Sequence, residues 1–189
     1  MNARAWQVQS LLLGYPDPVL LGRLDLLSAA ASTLEAKVGV PLLRFIEHAR
    51  DTPPVTLAAD YVATFDQRKR CCLYLTYYAY GDTRNRGMAL LKLKQTYAAD
   101  GLILGDDELS DHLAVVLEYA AAMPERGRSV MNDHRAGLEL LRLALHDMRS
   151  PWVDVLESVS ATLPPLRSMS EVAKLAAQGP PEEKVGTYR

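Results

Sequence analysis

Cysteine is almost missing from this chain: Cys71 and Cys72 stand side by side, and there are no others among 189 residues. Neighbouring cysteines pair poorly, because the disulfide strains the peptide between them. No further cysteine can complete a zinc site. The pair is expected to serve as small packing residues in a helix, with a redox or metal role as the alternative. Histidine is scarce as well. His48, His112, His134 and His146 show neither His-x-x-x-His nor His-Glu-x-x-His spacing, so no metal centre is expected. A serine nucleophile elbow is missing too, and with no nucleophile–base spacing the chain does not read as an enzyme. No apolar run approaches the roughly 18 residues that span a bilayer. The start, "MNARAWQVQSLLLGYPDP", lacks the basic opening, long apolar stretch and cleavage site of a signal peptide. Direct membrane insertion is not expected, and the cytoplasm is the expected location. Basic excess is absent: the net charge is -2 and the pI is near 6.1, which argues against a nucleic-acid partner.

What is present is a helical pattern nearly everywhere, with no convincing strand alternation. The chain is 49% hydrophobic and 23% charged, enough for one domain with a sizeable core. Val8, Leu11, Leu12 and Tyr15 share a face that Pro16 ends. Leu20, Leu24, Leu27, Ala31 and Leu34 form a second stripe. Leu42, Phe45, Ile46 and Ala49 form a third, which Pro53-Pro54 break. Leu57, Ala58, Tyr61, Val62 and Phe65 continue the period, followed by a charged patch from Asp66 to Arg70. Residues 71–80 read as another helix, stopped by Gly81. Asp82 or Thr83 can cap the next, and Ser110 or Asp111 is expected to start a strongly patterned helix through Leu113, Val116, Leu117 and Ala120. Leu138, Leu141, Leu145 and Met148 mark a long helix, and Trp152, Val155, Leu156 and Val159 another. The expectation is an all-α fold: a single compact domain of about eight to ten helices over residues 1–163. Residues 164–189 read as a weakly patterned, mobile tail.

The stretch "YLTYYAYGDTRNRGMALLKL" (74–93) concentrates the unusual residues. It is not a P-loop, because Gly87 is followed by Met88 and Ala89 rather than Lys-Ser/Thr, and the segment before it looks helical. Arg84 and Arg86 at a helix start have two readings: an anion site, or solvated side chains paired with local aspartates. The tyrosines also have two readings, a core with hydroxyls at its rim or a lining that a ligand touches. Asp111 and His112 lie at another helix start, where the pair is either a cap or a donor–acceptor pair at the mouth of a groove.

The segment "YVATFDQRKRCCLYLTYYAYGDTRNRGMALLKLKQTYAADGL" (61–102) followed by "ELSDHLAVVLEYAA" (108–121) resembles the NarJ-type nitrate reductase assembly chaperones, called delta subunits, within the TorD/DmsD-like group. "LLLGYPD" near the start extends the resemblance over most of the chain. Thr64–Asp66 and Gly81–Gly87 carry two of its signatures. Glu108, Asp111 and His112 fit its Glu-x-x-Asp-His motif, with Ser110 where many relatives have proline. The resemblance implies a TorD/DmsD-like helical fold and a non-enzymatic role. The chain would bind the N-terminal peptide of the nitrate reductase catalytic (alpha) subunit and keep it open for insertion of the molybdenum bis-guanine-dinucleotide cofactor before membrane attachment. It would hold no cofactor stably itself. Cofactor-synthesis proteins are further candidate partners. On this reading an amphipathic client helix lays apolar anchors in a groove. Tyr61, Phe65, Tyr74, Tyr77 and Tyr78 are the candidate lining; Asp66, Arg70, Asp82, Arg84, Asp111 and His112 are the candidate polar contacts. The competing expectation is a carrier that binds the molybdopterin cofactor or a guanine nucleotide directly, for which Arg84 and Arg86 are the motive.

Overall fold

In the computed structural model, residues 2–105, 108–166 and 168–179 are described. Among them the chain forms twelve α-helices: α1 (Ala3–Leu12), α2 (Pro18–Leu21), α3 (Leu24–Ser32), α4 (Ala36–Asp51), α5 (Pro54–Tyr61), α6 (Leu75–Tyr80), α7 (Arg84–Ala99), α8 (Leu113–Ala122), α9 (Pro124–Asp133), α10 (Arg135–Asp147), α11 (Val153–Ala161) and α12 (Met169–Gln178). The number exceeds eight to ten partly because α2 is a single capped turn, with Asp17 accepting from the Leu20 N–H at 2.7 Å. A further helix, α12, lies inside the segment read from sequence as a tail. It buries Val172 and packs on α10. The end of that segment, 180–189, lies outside the described residues.

The core sits where α1, α4, α8, α10 and α11 meet, and each contributes the face its 3.6-residue period sets. Trp152 is its pillar, with the rings of Phe45, Phe65 and Tyr61 at 5.4, 5.5 and 5.7 Å. Some buried polar groups are threaded between helices. Gln9 Nε2 donates to Ser158 Oγ at 2.8 Å, and Ser158 Oγ donates to the Val38 carbonyl at 2.8 Å, tying α1, α11 and α4 together. Where α8 meets α9 the backbones approach so closely that a Cβ at Gly127 would collide with Ala120.

Two departures from the sequence expectation shape the site. First, α5 runs on into a π-turn, Val62–Asp66, in which Gln67 N–H reaches back to the Val62 carbonyl at 3.1 Å. Such wide turns are uncommon and cluster at functional regions. Second, the helix expected over 71–80 begins only at Leu75. Lys69–Cys71 is a short 3₁₀ turn, and Cys72 and Tyr74 are extended. The reason is tertiary. Leu75 N–H donates to the Asp111 carbonyl at 3.0 Å and Leu113 N–H to the Leu73 carbonyl at 2.8 Å, an antiparallel bridge between Tyr74 and His112. That pairing holds both segments extended and delays the start of α8 to Leu113. Both cysteines are free and buried. Gly81 ends α6 as expected, at a positive φ of 54°, with its N–H on the Tyr77 carbonyl at 2.8 Å.

Candidate functional site

The bridge brings together two stretches that are 38 residues apart at Tyr74 and His112. Asp111 is fully buried there, and it does not cap the helix it precedes. Its Oδ2 accepts from the Thr76 N–H at 3.2 Å and from the Thr76 hydroxyl, so it caps the first turn of α6 instead. Arg86, on the first turn of α7, closes the charge balance. Its Nη2 lies 3.7 Å from Asp111 Oδ2, Nη1 lies 3.3 Å from Asp82 Oδ1, and Nε donates to Thr76 Oγ1 at 3.4 Å. The guanidinium sits 5.4 Å from the Tyr74 ring centre and 5.9 Å from that of Tyr77.

His112 takes the capping role at α8. Its Nδ1 accepts from the Ala114 N–H at 3.3 Å, which places the ring proton on Nε2 in the neutral form. Its ring meets the Tyr74 ring edge-on at 5.5 Å. Burial lowers the His112 pKa from its ordinary value, and that effect outweighs the opposing pull of Asp111, Glu108 and Asp66.

Above this junction lies a groove in two parts. A cavity of about 380 Å³ is walled by Ser10, Gly14, Tyr74, Leu109, His112 and Ala114. A second, of about 220 Å³, is walled by Tyr97, Leu102, Ile103, Leu104, Tyr119 and Ala122. Glu108, Val115 and Glu118 line both and so join them along the outer face of α8. The loop between α7 and α8 is fixed at its two ends. Tyr119 Oη donates to Asp100 at 2.6 Å, Arg126 pairs with the same carboxylate, and Tyr97 Oη donates to the Ser110 carbonyl at 2.7 Å. Between those anchors Ile103 is 97% exposed.

The eleven residues singled out from sequence therefore divide. Tyr74 and His112 stand on the groove wall, and Asp111 lies buried in the junction. Tyr61, Phe65 and Tyr78 belong to the core: Tyr61 Oη donates to the Leu13 carbonyl at 3.0 Å, and Tyr78 Oη to the carbonyls of Cys72 and Arg70. Their period matches a buried face, and burial takes them out of a ligand's reach. Tyr77 is half-buried against Arg86. Asp66, Arg70, Asp82 and Arg84 are exposed and line neither cavity, although Asp82 holds Arg86. Arg86, one of the two arginines behind the nucleotide-carrier reading, is committed to Asp111 and Asp82. Sequence reasoning missed Thr76, Glu118 and the α7–α8 loop. Only Glu118 carried a signal: it is the single charged residue in "LAVVLEYAAA".

The sequence pattern of the family described as nitrate reductase delta subunit matches residues 28–157. The chain belongs to the nitrate reductase delta subunit family. Members of that family are chaperones rather than catalysts. This delta-subunit chain is 39% identical over 158 residues to the Nitrate reductase-like protein NarX of Mycobacterium tuberculosis, a match that covers 83% of this chain and 24% of that protein. It thus spans about a quarter of the length of the mycobacterial relative. It is 34% identical over 156 residues to a Bacillus subtilis protein named "Probable nitrate reductase molybdenum cofactor assembly chaperone NarJ", covering 82% of this chain and 85% of that one. A crystal structure from Archaeoglobus fulgidus, described as a redox enzyme maturation protein, superposes with a TM-score of 0.66 over 86% of this chain and 93% of its own, at 20% identity. That likeness concerns the fold and agrees with the all-α architecture. No helix among the described residues is long and apolar enough to cross a membrane.

Proposed function

We propose that this delta-subunit chain is a cytoplasmic, client-specific chaperone, not an enzyme. It binds the N-terminal segment of the nitrate reductase catalytic subunit and keeps the apoenzyme open for insertion of the molybdenum bis-guanine-dinucleotide cofactor before membrane attachment. The carrying observation is the groove along α8, which is built where the Asp111–His112 motif meets the tyrosine segment, in a chain of the delta subunit family. The name of the Bacillus subtilis relative supports the role in cofactor assembly.

The groove suits a helical peptide. Its walls offer Leu109, Ala114 and Val115 in one part and Leu102, Ile103, Leu104 and Ala122 in the other, held by the His112 cap, the Tyr97–Ser110 hydrogen bond and the bridge. A pre-formed wall reduces the ordering cost of binding. The client therefore gains affinity from apolar burial, while His112, Glu108 and Glu118 set its register. The cofactor itself is held by the client.

Co-purification tests the reading. The catalytic subunit with an intact N-terminus is expected to be retained by the tagged chaperone, and the same subunit lacking that segment is expected to be lost. Equal retention of the two would move the client contact away from the N-terminal segment.

A further inference from the structure

We propose that Glu108 and Glu118 make the groove select a client segment that carries a lysine or arginine between two apolar anchors. The inference rests on the peptide-binding reading above and names the chemistry that reading leaves open.

Three observations carry it. Glu108 and Glu118 stand where the two parts of the groove meet, since each lines both cavities, while the residues particular to each cavity are mainly apolar or aromatic. Both residues are exposed, and neither side chain has an ion-pair or hydrogen-bond partner among the described residues. The groove walls supply no compensating charge either. Among the described residues they include no lysine or arginine, the neighbouring Arg86 is tied to Asp111 and Asp82, and His112 uses Nδ1 as an acceptor in its capping role. An apolar helix laid across this groove would desolvate two carboxylates without return. A cation at the same point is attracted to both and keeps its own stem against Val115. The pattern apolar–cation–apolar on one helical face is thus the complement of the lining. An acidic residue at the central position is repelled, which gives discrimination as well as affinity.

The test is fluorescence anisotropy on the full-length protein with two labelled probes. One is the N-terminal peptide of the catalytic subunit. The other is a designed, blocked helical peptide with leucines at both ends of one face and a lysine between them. Each is paired with a version in which the cation is replaced by glutamine. The proteins are wild type, the Glu108→Gln/Glu118→Gln double variant, and Asp60→Asn as a charge control outside both cavities. Both groove substitutions are isosteric and exposed, so unchanged thermal unfolding is expected. With the client peptide, the double variant is expected to bind about fivefold more weakly and to lose most of the salt dependence, as for exposed ion pairs. The glutamine peptide is expected to bind wild type and double variant alike. Tight client binding that the double variant leaves unchanged would overturn the inference while the chaperone reading stands. If wild type ignores the client peptide, the N-terminal-segment reading fails and the designed peptide decides. Lysine-dependent binding that the double variant loses upholds the preference for a cation. Charge-independent binding, or none, overturns it.

Discussion

The Asp111 carboxylate accepts the Thr76 N–H and hydroxyl, so the aspartate that precedes α8 caps α6. His112, the next residue, caps α8 itself. Two adjacent side chains thus start two different helices, and the backbone bridge between Tyr74 and His112 holds those starts side by side. The groove wall depends on this junction, because Tyr74 and His112 belong to it.

Removing the carboxylate is therefore expected to cost stability before it costs binding. Asp111→Ala leaves the Thr76 donors without their acceptor and the largely buried Arg86 guanidinium with only the exposed Asp82 as a counter-charge. A loss of about 3 kcal/mol is expected, the size found when one partner of a buried charged pair is removed. Asp111→Asn keeps an acceptor for Thr76 and is expected to lose less. Urea unfolding of both, with Thr76→Val in a double-mutant cycle, checks this; additive losses would show that Asp111 and Thr76 do not act together.

Acid is expected to weaken the fold through two half-buried histidines. Burial depresses the pKa of His112 and of His134 below the ordinary 6.5. In the unfolded chain each binds a proton near 6.5, while in the folded chain each resists until a lower pH. Between those values the unfolded state holds more protons, so the stabilisation is complete above about 6.5 and is lost as pH falls through the folded values. The urea midpoint should drop between pH 7.5 and 5.5. In His112→Asn, which retains a capping side chain, the drop should be smaller, with His134 left to supply its share.

The loop over the groove is expected to depend on Tyr97. Its hydroxyl holds the Ser110 carbonyl from inside the small cluster of Leu93, Tyr97 and Tyr119. Tyr97→Phe should cost about 1 kcal/mol, the net worth of one hydrogen bond. Its distinctive sign is faster amide exchange at His112, whose N–H bonds back to the Leu109 carbonyl in the same turn. Unchanged exchange there would mean that the loop end is held without Tyr97.

Gly127 is expected to tolerate no side chain. Even Gly127→Ala places its Cβ against the backbone of Ala120, so α8 and α9 must separate. A loss of about 2 kcal/mol or more is expected from overpacking, read as a lower thermal midpoint. A neutral result would show that α9 shifts freely on α8.

Much of this fold was legible because burial follows the helical period. The stripes through Leu42, Phe45 and Ile46, or through Leu113, Val116 and Leu117, are the buried faces of α4 and α8. Gly81 stops α6 for the local reason it advertises. What escaped the sequence depends on contacts distant along the chain. Nothing near Cys72–Tyr74 announces an extended segment, since its bonding partners are residues 111–113. Asp111 reads as a local cap, and only the fold brings it to Thr76. The tyrosines of Tyr61 and Tyr78 obey the same period whether they face a core or a ligand, so their burial became visible only in three dimensions. Glu108 was legible as part of the Glu-x-x-Asp-His motif, but Glu118 read as one acid on an apolar helix, and only the fold puts the two on the same cavities.

The most direct measurement is calorimetry of the purified protein with the N-terminal peptide of the nitrate reductase catalytic subunit, about four helical turns long. It would be repeated with Leu109→Asp and Ile103→Asp, both exposed positions on the groove wall. Saturable one-to-one binding by the wild type, weakened about tenfold in each variant, is the expected result, a change of about 1.4 kcal/mol. Failure of the folded wild type to bind, or equal affinity in all three proteins, would contradict the assignment of the α8 groove as the client site.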